Sequence, residues 1–332
     1  MAMMSDLSQG LVKEILSRVP ISSLRAVRST CKQWNSLSKD PSFTNKQCAK
    51  AAKDLMVIMV NDFKVCLMSV NLYGDHNHKD LVDPSIKRIG ELNQVKIFNV
   101  FYCDGLLLCL TKEKESNTTS LVVWNPYSCQ TSLIKPRSTY GRSDMFGIGY
   151  DKNNNHKILR LFFEFGYNLE YEIYDSKSNS WRALAISSTV VLYKKGVSLK
   201  GSTYFFAQER IKVEEVDKEC VLLCFDFTRE RFGPVLHLPF HCDVRYDDMV
   251  LSAVREEQLA FLFQRLYTYK MEIWITTKIK PNAVSWNIFL GVNTETIISG
   301  LKFVVEPRSF FVDEDKKVAV ICDIDRFEPT KT

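Results

Sequence analysis

The chain has 332 residues, 45% of them hydrophobic and 25% charged, with a formal net charge of +5. This is ordinary globular composition, which argues against a disordered chain, and the apolar run Leu55 to Val60 is far too short to span a bilayer. The opening MAMMSDLSQG lacks the basic and apolar regions of a signal peptide, so an intracellular protein, cytoplasmic or nuclear and without a membrane partner, is expected.

Charge is distributed unevenly. Residues 1–53 carry nine Lys or Arg against three Asp or Glu, a local charge of +6, and the remainder sums to −1. An acidic partner would be drawn to the first segment. The ten cysteines are scattered without a CxxC pair, and reduced, buried thiols are the simplest expectation; Cys220 and Cys224 fall within one apparent strand.

From Asp6 to Phe43 the spacing predicts three short helices. Asp6 with Gln9 three residues on forms a capping-box start, and Leu7, Leu11, Val12, Ile15, Leu16 and Val19 recur at helical intervals until Pro20. Ser22 and Ser23 are N-cap candidates for a second helix, and Leu24, Val27, Cys31, Trp34 and Leu37 continue an apolar row to Asp40-Pro41. Some forty residues cannot bury two such seams internally, so a partner surface is implied. Covering five of these aliphatic side chains would contribute roughly 7–15 kcal/mol before entropy costs. Packing on the rest of the same chain is the plainer alternative.

Leu7, the helix Leu16 to Pro20, Cys31-Lys32-Gln33-Trp34 and Asp40-Pro41-Ser42-Phe43 together resemble an F-box. The resemblance implies docking onto a Skp-family adaptor and, through it, onto a cullin scaffold. The expected adaptor-binding residues are Leu7, Leu11, Ile15, Leu16, Val19, Pro20, Leu24, Val27, Cys31, Lys32 and Trp34. Ser8 stands where the family usually has Pro, and Gly10 occupies the first helical turn, where Gly costs about 1 kcal/mol relative to Ala; both lower the expected affinity. A small basic three-helix unit also suits DNA binding. Against that, Arg25, Arg28 and Lys32 are spread around the helices and form no recognition face, so nucleic acid is the less favoured partner.

Beyond residue 50 the texture changes to short runs of Val, Ile, Leu, Phe and Tyr broken by turn residues, which predicts strands. Turn signals at Asn61-Asp62, Asp104-Gly105, Asn153 to Asn155, Lys200-Gly201, Glu256-Glu257 and Asp313 to Lys316 suggest six hairpin units. Trp124, Tyr174, Phe225 and Trp274 keep the same beat, at intervals near fifty residues, and each is expected to end a strand. Within units an aromatic is answered by a second, Tyr174 by Trp181, Phe225 by Phe232 and Trp274 by Trp286. A kelch-like period makes these aromatics packing between propeller blades; stacking on a sugar or base is the sharper, less favoured reading.

The phrases VVWNPYSCQTSLI, FGIGYD, HKILRLF, EIYDSKSNSWRAL, GVSLKGSTYFFA, LLCFDFTRERFG, EIWITTKIKPNAVSW and FFVDEDKKVAVICD, in this order, resemble the plant F-box associated interaction domain, a partner of the F-box in that family. The expected architecture is α+β and multidomain. It has a three-helix F-box over 1–47, a linker at 48–53, a mainly antiparallel, propeller-like β domain over 54–326 and a tail at 327–332. The last β unit is expected to be an incomplete blade of one hairpin, unless the strands near Met56 to Val70 join it.

No Gly-x-Ser-x-Gly elbow, P-loop or GxGxxG occurs, and Gly147-Ile148-Gly149 is a lone GxG in an apparent strand. His76 and His78 with Asp75, Asp80 and Asp83 crowd together in a polar loop but lack a second ligating segment, so neither metal nor cofactor is expected. The resulting expectation is a non-catalytic substrate-recognition subunit of an SCF-type ubiquitin ligase. The F-box would hold the adaptor and the β domain a target protein, through polar loops such as Arg137 to Ser143 and Glu209 to Glu219. A glycan-binding, lectin-like module and a DNA-binding protein are the alternatives.

Overall fold

One helix and twenty-three strands are formed by the described residues of the computed structural model, which are 8–17, 32, 34, 36, 55–61, 64–71, 85–92, 96–112, 119–126, 130–141, 144–164, 168–186, 190–193, 196–209, 219–255, 257–265, 268, 270–293 and 309–322. The chain divides into two units, Met1–Gly141 and Arg142–Thr332. It is mostly β. Of the three expected helices, α1 (Gln9–Ser17) is described, together with helical backbone at Lys32, Trp34 and Ser36; the rest of that segment lies outside the described residues.

In the first unit, β1 (Leu55–Asn61), β2 (Lys64–Asn71) and β3 (Ser85–Leu92) form an antiparallel sheet in chain order, so the strands of Met56 to Val70 pair with each other and with β3. A second antiparallel sheet holds β4 (Lys96–Cys103), β5 (Leu106–Lys112), β6 (Thr119–Asn125) and β7 (Gln130–Ile134). Asp104 and Gly105 turn β4 into β5 with φ of 44° and 81°, the left-handed pair that a tight two-residue hairpin requires. Ile97, Leu107, Cys109 and Trp124 from this sheet meet Val65 of β2 in one core, so Trp124 is a packing residue.

Four sheets make up the second unit. The first runs β8 (Met145–Tyr150), β9 (His156–Glu164), β10 (Asn168–Asp175) and β11 (Ser180–Leu184) in chain order. The next is centred on β14 (Ser202–Glu209) and β15 (Cys220–Asp226); β12 (Val190–Leu192) and β13 (Val197–Leu199) both pair with β14, and β16 (Arg231–Phe232) and β17 (Leu236–His237) both pair with β15. Then come β18 (Asp247–Val254), β19 (Gln258–Arg265), β20 (Lys270–Lys280) and β21 (Ala283–Asn293), and last the two-stranded sheet of β22 (Ser309–Asp313) and β23 (Val318–Cys322).

Side-chain alternation explains how these sheets stack. β14 sends Phe205 and Ala207 toward Leu159, Leu161 and Ile173 of the preceding sheet, and Tyr204 and Phe206 toward Leu259, Phe261 and Phe263 of the following one. β19 repeats the device, its alternate residues Ala260 and Leu262 meeting Phe310 and Val312 of β22. Strands covered on both faces must be apolar at every position, which is why CVLLCF and LAFLF carry no period of two. The six expected turns fall between paired strands of six different sheets, with Asp62 and Glu256 themselves outside the described residues.

The GxG of β8 is a packing device. A Cβ on Gly149 would lie 2.3 Å from the Gly201 carbonyl oxygen and from Phe227, and Tyr150 N donates to that same carbonyl at 3.0 Å.

Two expectations need correction. Tyr174 faces Trp181 across β10 and β11 (centroids 5.4 Å apart), and Phe225 faces Phe232 across β15 and β16 (5.2 Å). Trp274, however, neither ends its strand nor faces Trp286. β20 continues to Lys280, and two register shifts set Trp274 opposite Ile288 and Thr276 opposite Trp286. The turn lies at Pro281-Asn282, as the wider spacing of Trp274 and Trp286 suggests, and with so long a hairpin the interval near fifty no longer reports position along the strand. The second correction concerns the thiols: Cys220 and Cys242 are joined by a disulfide, with Cα atoms 6.3 Å apart, whereas Cys109 and Cys224 are free and, like Cys103, buried as expected.

Candidate docking site

The first turn of α1 is organised by Ser8. Its Oγ accepts from Leu11 N at 3.4 Å and its carbonyl from Val12 N at 3.0 Å, so the residue that departs from the F-box pattern acts as the N-cap. Asp6, the expected cap, lies outside the described residues. Four-residue steps then give the helix two apolar rows of different fate. Val12 and Leu16 are buried, at 1% and 0% exposure, whereas Leu11 is 49% exposed and Ile15 half-buried. Helical spacing grouped all of these as one seam, and only packing separates them. Lys32 is exposed and Trp34 half-buried; Leu7, Val19, Pro20, Leu24, Val27 and Cys31 lie outside the described residues.

On the β domain, Arg137, Ser138 and Thr139 are exposed and Tyr140 is buried. Of the second expected loop, Glu209 and Glu219 are described, and Glu219 Oε1 lies 2.8 Å from His237 Nδ1. That contact marks the start of the connecting segment between β17 and β18, which bends at Pro239 and Phe240 and turns over Val244 to Tyr246. Leu238, Phe240, Cys242 and Val244 pack inward, with Phe240 stacked on Phe263 at 4.3 Å, while His241, Arg245 and Tyr246 are exposed. Arg245 forks onto Asp243 through Nε (2.9 Å) and Nη2 (2.6 Å), and these bonds pull the Asp243 carboxyl down to about 2. The Arg245 guanidinium also lies 5.2 Å over the Tyr246 ring.

Two charge clusters escaped the sequence reading. Arg160, fully buried in β9, contacts Asp144 (Nη2–Oδ2 2.7 Å) and Glu172 (Nη1–Oε2 3.2 Å) and lies 4.3 Å over the Phe162 ring. Its signal was a lone Arg inside the apolar run ILRLFF. Lys157, near the start of β9, reaches Glu230 (2.9 Å), Asp151 (3.4 Å) and Asp175 (3.9 Å), and so ties the first sheet of the unit to the β15–β16 turn. Burial alone would lower the Lys157 ammonium, but Glu230 and Asp151 outweigh it and raise it. Burial likewise opposes ionisation of Asp151, Asp175 and Glu230, yet their hydrogen bonds and Lys157 hold all three below the usual carboxylate range. Asp175 and Asp226 each accept two backbone amides within their own turn, a role hinted at by the repeated aromatic-Asp dipeptide.

Trp124, Tyr174 and Phe225 are buried, so these rings offer no platform to a sugar or base. The His76 and His78 cluster lies outside the described residues; among those described, no group of three or more His, Cys, Asp or Glu could hold a metal, and no helix is long and apolar enough to cross a membrane.

Residues 4–46 match the F-box domain family, and residues 56–331 match the F-box associated beta propeller domain family. The Arabidopsis thaliana chain named "Putative F-box protein At3g19560" is 52% identical over 98% of this chain and 88% of its own length. A second protein of that plant, "F-box/kelch-repeat protein At3g13680", is 46% identical over 100% of this chain and 84% of its own. Among solved structures, the β-propeller domain of the Trilobed protease from Pyrococcus furiosus superposes with a TM-score of 0.37 at 7% identity, over 78% of this chain and 76% of that one; so loose a fit carries no structural weight.

Proposed function

Because the chain belongs to the family of F-box proteins that carry an F-box associated β-propeller domain, we propose that it is the substrate-recognition subunit of an SCF-type ubiquitin ligase. In this reading residues 1–47 dock on a Skp-family adaptor, which is tethered to a cullin scaffold, and residues 54–326 hold a target protein. Ubiquitin transfer is carried out by other subunits, and this chain contributes no catalytic residue. The cytoplasm and nucleus, where such ligases work, are its proposed location.

The observation that carries the reading is the half-exposed Leu11 beside Ile15, on a helix whose other apolar row, Val12 and Leu16, is already buried. A Leu in that state has apolar surface left to cover, and a helical groove on the adaptor suits it. We assign the adaptor contact to Leu11 and Ile15 together with Leu7, Val19, Pro20, Leu24, Val27, Cys31, Lys32 and Trp34, with Leu16 supporting that face from behind.

Co-expression with a tagged Skp-family adaptor tests this directly. The intact chain is expected to co-purify, and the double variant Leu11→Asp with Ile15→Asp to remain soluble, with unchanged β circular dichroism, but to be lost from the adaptor. Co-purification of the double variant would overturn the assigned face. Failure of the soluble intact chain to bind would overturn the ligase reading.

A further inference from the structure

We propose that Cys220 and Cys242 form a reversible thiol–disulfide modification site, exchanging with a small thiol and its disulfide of the glutathione class, which fastens and releases the segment 238–246. The two residues are 22 apart in sequence with Cα atoms 6.3 Å apart, within the range that a disulfide spans without backbone movement. They differ in access. Cys220 opens β15 and is 4% exposed, whereas Cys242 sits half-buried in the segment between β17 and β18. Of the other described thiols, Cys109, Cys224 and Cys103 make poor exchange partners, since burial pushes the Cys109 thiol up to about 12, burial also raises Cys224, and Cys103 is buried, while half-buried Cys322 lies on β23, outside this strap.

Access sets the order of events. In reduction, a small thiolate attacks Cys242 Sγ, the electron pair of the protein disulfide leaves on Cys220 Sγ, and that sulfur takes up a proton. A second small thiol then clears the mixed disulfide from Cys242. In oxidation, the Cys242 thiolate attacks the small disulfide and releases one thiol, after which the Cys220 thiolate displaces the second. The two protein thiols lose two electrons and two protons, and the small disulfide gains both to become two thiols.

What the bridge restrains is a strap with alternating faces. Its inward side chains include Phe240, stacked on Phe263, and at its start Trp286 Nε1 donates to the His237 carbonyl at 3.3 Å. Those contacts survive reduction, so the sheets stay folded while the strap opens more often. Its outward side chains, His241, Arg245 and Tyr246, are the part whose presentation the bridge controls.

The full chain is equilibrated in buffers of reduced and oxidised glutathione at several ratios, quenched with a maleimide and digested with trypsin for mass spectrometry. Peptide 219–229 is expected to be linked to peptide 232–245 at oxidising ratios. Both Cys220 and Cys242 should become labelled over one common midpoint, while Cys224 stays unlabelled in the native chain. Limited proteolysis after Arg245 should run about tenfold faster in the reduced protein. The Cys242→Ser variant should abolish this redox dependence and Cys224→Ser should preserve it. Free, labelled Cys220 and Cys242 in oxidised glutathione would overturn the site. So would a cross-link that yields to reduced glutathione only in urea, or cleavage at Arg245 that is indifferent to redox state. The wild-type titration decides the matter even if Cys242→Ser fails to fold.

Discussion

At Gly10 a Cβ would meet no atom within 4 Å, so nothing in the packing of α1 requires glycine there. Glycine in a helix loses more backbone freedom on folding than alanine, at a cost of about 1 kcal/mol. Gly10→Ala is therefore expected to stabilise the F-box segment by about 1 kcal/mol, read as a higher melting temperature, and to tighten adaptor binding in proportion to the helix it preserves. An unchanged or lower melting temperature would show that α1 does not limit the stability of the F-box segment. Ser8 needs no such repair, because its hydroxyl and carbonyl already satisfy the amides of Leu11 and Val12.

Strand β9 shows what one element carries. Its apolar residues Leu159 and Leu161 face the neighbouring sheet, while Arg160 between them turns to Asp144 and Glu172. A guanidinium removed from water is tolerated only with counter-charges and hydrogen bonds in place, and here two carboxylates and an aromatic ring supply them. Arg160→Ala leaves two buried carboxylates facing a cavity and is expected to cost roughly 3–5 kcal/mol of the stability of the second unit. Urea unfolding measures this, and a loss below about 1 kcal/mol would show that water or a rearranged side chain replaces the guanidinium. Near the start of the same strand, Lys157 links both outward, to Glu230 of the next sheet, and within its own, to Asp151 and Asp175.

Across the whole molecule, stability should respond to pH through the carboxylates that are depressed by folding. Asp151, Asp175 and Glu230 lie below their ordinary range in the native chain, so the native state gives up these protons more readily than the unfolded one. Their contribution is complete above the unfolded values, about 4, and is lost as pH falls through the native ones. Lys157 is raised, so its contribution is complete below about 10.4 and fades only at higher pH. The urea midpoint is expected to be level, as far as these groups are concerned, from about pH 5 to 9 and to fall below about pH 4. A fall that begins between pH 7 and 5 would assign the dependence to other groups. With nine basic against three acidic residues in the first 53, the F-box end keeps its positive charge through that whole plateau.

Local conformation was legible without coordinates. Asp104-Gly105 and Lys200-Gly201 announce their hairpins because residues at positive φ are chosen by the turn itself, and the intervals joining Trp124, Tyr174 and Phe225 report repeated sheets because each unit recurs with its own core. By itself, then, the sequence determined an N-terminal α1, a following series of β hairpins and the family to which the chain belongs. Tertiary structure alone decided that Leu16 goes inside while Leu11 stays half-exposed, that Trp274 slips off the beat, that Arg160 finds two carboxylates, and that Cys220 is bonded to Cys242. Turns and periods are set by residues a few positions apart. Burial, register across a bulged hairpin and the meeting of side chains from different strands depend on which surfaces pack together, and no local pattern encodes that.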